Sequence, residues 1–151
     1  MGQIMRIRMS VSGAVAPLLG AALFAVFLLT VSPFTLVANG ETMDITDDRG
    51  GILFLYQRRW EQLAAQKVNV RIAGPCLSAC TIILGYIPRK DICATPKASL
   101  GFHAGTFPFV TDQLWKIYPQ DIRAWITAHG GLTFEVIWMQ APEIYRFIRK
   151  C

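Results

Sequence analysis

Ser78 is the residue of this 151-residue chain whose neighbours best suit it to act as a nucleophile. It stands in Gly74-Pro-Cys-Leu-Ser78-Ala-Cys80, after the run Val68-Asn-Val-Arg-Ile-Ala73 and before the small and apolar stretch Ala79 to Tyr86. A strand, a tight turn and a helix with serine at the junction expose a hydroxyl. They also turn neighbouring backbone N–H groups toward an incoming oxyanion. His103, one of two histidines, closes the same stretch, which holds three of the four cysteines. Singly, these residues have plainer readings: a serine at a helix start is a cap, and paired glycines are turns. Their order and spacing point instead to acyl chemistry at a serine.

The cysteines admit competing chemistry. Cys76, Cys80, Cys93 and His103 form C-x3-C…C…H, a tolerable spacing for zinc, and Cys76 with Cys80 could be a redox pair. With Cys151 the count is even, and all four lie beyond an export-type prefix, which makes two disulfides the default. No metal and no cofactor are expected.

That prefix covers residues 1–38. Arg6 and Arg8 give a basic start, and Val11 to Ala38 carries no charge. With small residues at Ala38 and Gly40, it reads as a secretory signal peptide or, left uncut, as a membrane anchor over residues 11–38. The protein is then exported, periplasmic or secreted, with residues 39–151 as one domain. The positive mean hydropathy of +0.38 owes much to the prefix. Beyond residue 38, 13 Lys and Arg face 10 Asp and Glu, about +3. This modest charge falls in scattered pairs such as Arg58-Arg59 and Arg89-Lys90, which excludes a nucleic-acid footprint.

The elements that must position Ser78 and His103 can be read in order. Met43 to Thr46 is an edge strand, and Asp47-Asp48-Arg49-Gly50-Gly51 is a turn. Ile52 to Gln66 is a helix by its apolar spacing, and Val68 to Ala73 a strand by alternation. A buried helix is expected over Ser78 to Tyr86, with strands at Ile92 to Ala94 and Ala98 to His103. Gly105 to Thr111 reads as a loop whose Phe107, Pro108 and Phe109, with Trp115 downstream, could line an apolar pocket. Helices are expected over Pro119 to Ala128, Thr133 to Met139, and from Pro142 toward Arg149. His129 reads as a helix-end residue. The alternation argues for an α/β layered domain with parallel crossovers.

In this order the motifs resemble the Clp protease proteolytic subunit (ClpP) family within the ClpP/crotonase superfamily. There, a Gly-Gly turn supplies oxyanion N–H, a G-x-x-x-S turn carries the nucleophile, and a later strand carries the catalytic histidine. Gly50-Gly51, Gly74-Pro-Cys-Leu-Ser78 and His103, 25 residues beyond Ser78, fill those places. The resemblance spans roughly Asp47 to Phe147 and takes in Gly130-Gly131-Leu132-Thr133 and Ala141-Pro142-Glu143. It implies a layered α/β fold of repeated β-β-α units with a reduced handle region, because His103 to His129 is short. It further implies Ser78 as nucleophile, His103 as general base, and N–H groups of Ala79 and of Gly50 or Gly51 at the oxyanion.

The family's third member, an aspartate, has no counterpart: Val136-Ile-Trp-Met-Gln140 holds no acid, leaving Asp112, Asp121 and Glu135 as substitutes off the matching position. The resemblance also implies disulfides Cys80–Cys93 and Cys76–Cys151. The function expected is an exported serine hydrolase, peptidases included, acting on a peptide or protein through a Ser-His dyad or incomplete triad. The alternative is a catalytically inactive module of the same fold that binds peptide or a partner protein. A homo-oligomer fits either reading; nucleic acid does not, and membrane contact is expected only through an uncut prefix.

Overall fold

The computed structural model describes residues 40–151. The expected leader and anchor at residues 1–38 lie outside the described residues, and no helix among those described is long and apolar enough to cross a membrane.

The domain is a layered α/β structure built on two sheets. The first is four-stranded in the order β1 (Thr42–Ile45), β2 (Asn69–Ile72), β4 (Ile92–Ala94), β7 (Arg149–Lys150), parallel throughout. The second joins β3 (Pro75–Leu77), β5 (Ser99–Phe102) and β6 (Ile137–Gln140), with β3 and β5 parallel and β6 antiparallel. Helices α1 (Leu53–Ala65), α2 (Ile83–Tyr86), α3 (Pro108–Ile117) and α4 (Gln120–Ala128) complete the layers. Val70, Ile72, Ile92 and Ala94 are all buried, the pattern of strands covered by neighbouring elements. Trp60, Ile82, Ile83, Leu100, Phe102, Tyr118, Ile122, Ile126 and Met139 fill the core.

Four expectations are corrected. The run over Thr133 to Met139 is not a helix: Ile137–Gln140 pairs with β5, Phe102 opposite Ile137 and Ser99 opposite Gln140. Thr133 Oγ1 accepts from the Glu135 N–H at 3.2 Å, so the hydroxyl that would cap a helix closes a turn. The loop over Gly105 to Thr111 ends early, because Pro108 opens α3 as a first-turn proline. The helix from Ser78 begins as a 3₁₀ segment, Ser78–Ile82, and turns α-helical only at Ile83. Past Pro142 the chain makes only a 3₁₀ turn, Glu143–Arg146, before β7.

Candidate active site

Three chain segments end together at one edge of the smaller sheet. Leu77 of β3 pairs with Gly101 of β5, so Ser78 falls level with Phe102 and His103 comes one residue later. Adjacent strands lie about 4.8 Å apart, so the register alone delivers serine and histidine from neighbouring strand ends. Beyond β1, Asp48 makes a parallel bridge to Cys76, bringing the Gly50-Gly51 turn to the same edge.

Ser78 holds a left-handed backbone conformation, φ +58°. Such a conformation costs a non-glycine residue about 1–3 kcal/mol and persists only where its surroundings over-determine it. Two restraints do so here. Cys76 and Cys80, two residues either side of Ser78, are joined by a disulfide with Cα atoms 5.3 Å apart. The tight turn brings those positions close, and the cross-link closes it as a clip. Within the turn, Thr81 Oγ1 donates to the Ser78 carbonyl at 2.6 Å and lies 2.7 Å from the Tyr118 hydroxyl. Burial raises the Tyr118 phenol well above its ordinary value, so it stays a neutral partner.

The observed pairing corrects the expected Cys80–Cys93 and Cys76–Cys151 bridges. The second disulfide is Cys93–Cys151, Cα atoms 5.0 Å apart. Strand β7 pairs with β4, setting Arg149 opposite Cys93, and so carries Cys151 to Cys93 rather than to the turn. All four cysteines are bonded.

His103 is oriented by the backbone. Its Nδ1 lies 2.6 Å from the Ala104 carbonyl oxygen. A carbonyl oxygen can only accept, so Nδ1 carries a proton, and in the neutral ring the lone pair is on Nε2. Ala104 is itself held, its N–H donating to the Thr133 carbonyl at 2.6 Å. None of the acids considered as a third member reaches the ring: Asp121 pairs with Arg89 at 3.3 Å, and neither Asp112 nor Glu135 bonds to it. No hydrogen bond joins Ser78 Oγ to His103 among the described residues. His129 lies elsewhere, at the end of α4, stacked on Trp125 with Nδ1 2.8 Å from the Trp125 carbonyl.

The three proposed oxyanion donors are not equivalent. Gly50 donates its N–H to Asp48 Oδ1 at 3.0 Å and is thereby occupied. Gly51 lines the cavity with Ser78, Ala79 and His103. Ala79 stands in the first turn of the 3₁₀ helix, where N–H groups have no intrahelical acceptor. Gly50 has φ +77°, and a Cβ there would lie 2.4 Å from the Leu77 carbonyl oxygen, 2.8 Å from Ser78 Cβ and 2.9 Å from the Ala79 nitrogen. Only glycine lets the turn lie against Ser78 in this way.

Ser78 and His103 open into a cavity of about 770 Å³. Ile52, Phe54, Phe107 and Phe109 line it and are 57–68 % exposed, and the two rings from the α3 start stack with centroids 5.6 Å apart. Pro108 and Trp115, expected to join them, are not among the lining residues.

The fold thus defines an α/β protein with a serine and a histidine at neighbouring strand ends. No family model matches the chain, and no curated protein does. Among solved structures it is similar to the ClpP1 N165D mutant from Listeria monocytogenes, with a TM-score of 0.45 and 17% identity over 70% of this chain and 68% of that one. The functional reading rests on the residues of the site.

Proposed function

We propose that the chain is an exported serine hydrolase of the ClpP-like kind, peptidases included, working through Ser78 and His103. The observation that carries this is the strained Ser78, held at a clipped turn and sharing a cavity with a histidine whose Nδ1 proton is committed to a backbone carbonyl. In that tautomer Nε2 takes the Ser78 proton as Oγ attacks the substrate carbonyl carbon. The N–H groups of Gly51 and Ala79 hold the oxyanion. Collapse expels the leaving group with the proton from Nε2, and water repeats the sequence to release the acid. Two disulfides agree with export through the prefix, and a homo-oligomer acting on peptide or protein is part of the same reading.

A fluorophosphonate probe tests it on the full chain. Wild type is expected to label, Ser78→Ala not at all, and His103→Ala at least about 100-fold more slowly. Absence of Ser78-dependent labelling would sink the hydrolase reading. It would favour the second one, an inactive module binding peptide or a partner, which has its own observation in the lack of a carboxylate on His103.

A further inference from the structure

Asp48 has no counterpart in the motifs that pointed to the site, yet it joins the three pieces on which the site stands. Its backbone N–H donates to the Pro75 carbonyl and its carbonyl accepts from the Leu77 N–H, both at 2.8 Å, locking it to the strand that ends in Ser78. Its side chain, 12 % exposed, accepts from Gly50 N–H through Oδ1 and from Arg59 Nη1 through Oδ2 at 3.1 Å. The Tyr56 hydroxyl donates to the same Oδ1. One residue therefore ties the glycine turn, the nucleophile strand and helix α1. Burial, and then the Asp48 carboxylate beside it, push the Tyr56 phenol up to about 12, so the donor stays protonated.

We infer that Asp48 is the positioning residue of the oxyanion hole: it fixes the Gly51 N–H relative to the Ala79 N–H. Gly50 packs beside Leu77, Ser78 and Ala79 with no room for a Cβ. Its N–H is the one atom of the turn that a side chain holds. Releasing it lets Gly51 swing away from the point where charge develops, while the cavity walls that bind the ground state stay in place. The inference rests on the serine-hydrolase reading, and it assigns a role to a group that touches no substrate.

The test uses the full chain with p-nitrophenyl butyrate as substrate and the fluorophosphonate probe to count active sites. Asp48→Ala is expected to lower kcat per active site about 10- to 100-fold, below the loss from deleting a donor outright, with KM within about 2-fold. Asp48→Asn should recover part of the loss, because an amide oxygen still accepts from Gly50. Tyr56→Phe should fall the same way and less. A merely structural Asp48 would lower the melting temperature and the number of active sites but leave kcat per site unchanged; that result overturns the inference. If Asp48→Ala does not fold, Asp48→Asn and Tyr56→Phe decide on the same readout. Wild type without Ser78-dependent labelling removes the hydrolase reading and this inference together. A labelled wild type with unaltered Asp48 variants removes the inference alone.

Discussion

The two disulfides should separate when removed in turn, the clip at Ser78 costing mainly activity and the Cys93–Cys151 tie mainly stability. Loop closure gives the first magnitudes. A sequence separation of 4 is worth about 2 kcal/mol in the chain-entropy account and a separation of 58 about 4 kcal/mol. Cys76 and Cys80 are fully buried, so alanine at both adds a packing loss of about 1 kcal/mol per sulfur. Against that stands the left-handed Ser78, whose relaxation returns about 1–3 kcal/mol. The net cost of Cys76→Ala/Cys80→Ala is therefore about 2 kcal/mol. For Cys93→Ala/Cys151→Ala, with only Cys93 buried and no strain to release, it is about 5 kcal/mol.

The clip and the strain are of one size, so the elbow loses its margin when the clip goes. What remains is the Thr81 bond to the Ser78 carbonyl, worth about 1 kcal/mol, and the β3–β5 pairing. A shift of about 2 kcal/mol in the population of the productive elbow is about 30-fold in rate. Labelling by a fluorophosphonate should then slow about 10- to 30-fold in the clip variant and stay within about 2-fold in the tie variant. Urea unfolding of both, beside the labelling rates at a temperature where both are folded, checks the two predictions. A clip variant that labels like wild type would refute the reasoning, because the turn would then hold itself. A tie variant that loses labelling while folded would refute it from the other side.

Gly50→Ala should be among the most damaging small substitutions, because the atoms nearest its Cβ belong largely to the nucleophile turn's own backbone. A loss of about 2–4 kcal/mol by thermal unfolding is expected, with labelling down at least about 100-fold. Gly131→Ala is the control: its φ is +81° but its Cβ meets nothing within 4 Å, so only about 1 kcal/mol of backbone strain is expected. Alkaline stability tests the half-buried Tyr56 phenol. Tyr56 titrates near 10 unfolded and about 12 folded, so its contribution is complete below about pH 10 and is lost as pH rises through about 12. Melting temperatures across that window should fall less steeply in Tyr56→Phe than in wild type.

The strand ends were legible because short apolar alternation is a local signal. Val70 and Ile72 mark β2, and Ile92 to Ala94 appears as expected. Ser78 and His103 were singled out from residue type and order, and both line one cavity. Three things were not local. Strand β3 is only Pro75–Leu77, too short for any period, and exists because Asp48 and β5 pair on its two sides. Ile137–Gln140 has apolar residues that suit helix or strand, and pairing with β5 decides it. The disulfide partners depend on where β7 docks, which four cysteine positions do not specify. A signal did exist for α3, in Pro108 at the first helical position. Asp48 gave none, since an acid before two glycines looks like any turn.

The missing carboxylate changes what the site must be able to do. An orienter has two tasks, to set the imidazole tautomer and to offset the charge that the ring gains in the transition state. A mismatch in the first costs about 10⁴-fold even when geometry is kept. In the proposed reaction the Ala104 carbonyl would perform the first task, because it can only accept and so leaves Nε2 as the base. It would serve the second only through its dipole, while the Ala104 N–H, in the preceding peptide unit, is held separately by the Thr133 carbonyl. In the proposed reaction more of the transition-state charge would then fall to the oxyanion side, to Gly51 and Ala79. In a site built this way, the residues that fix those two donors should matter more than an acid behind the histidine.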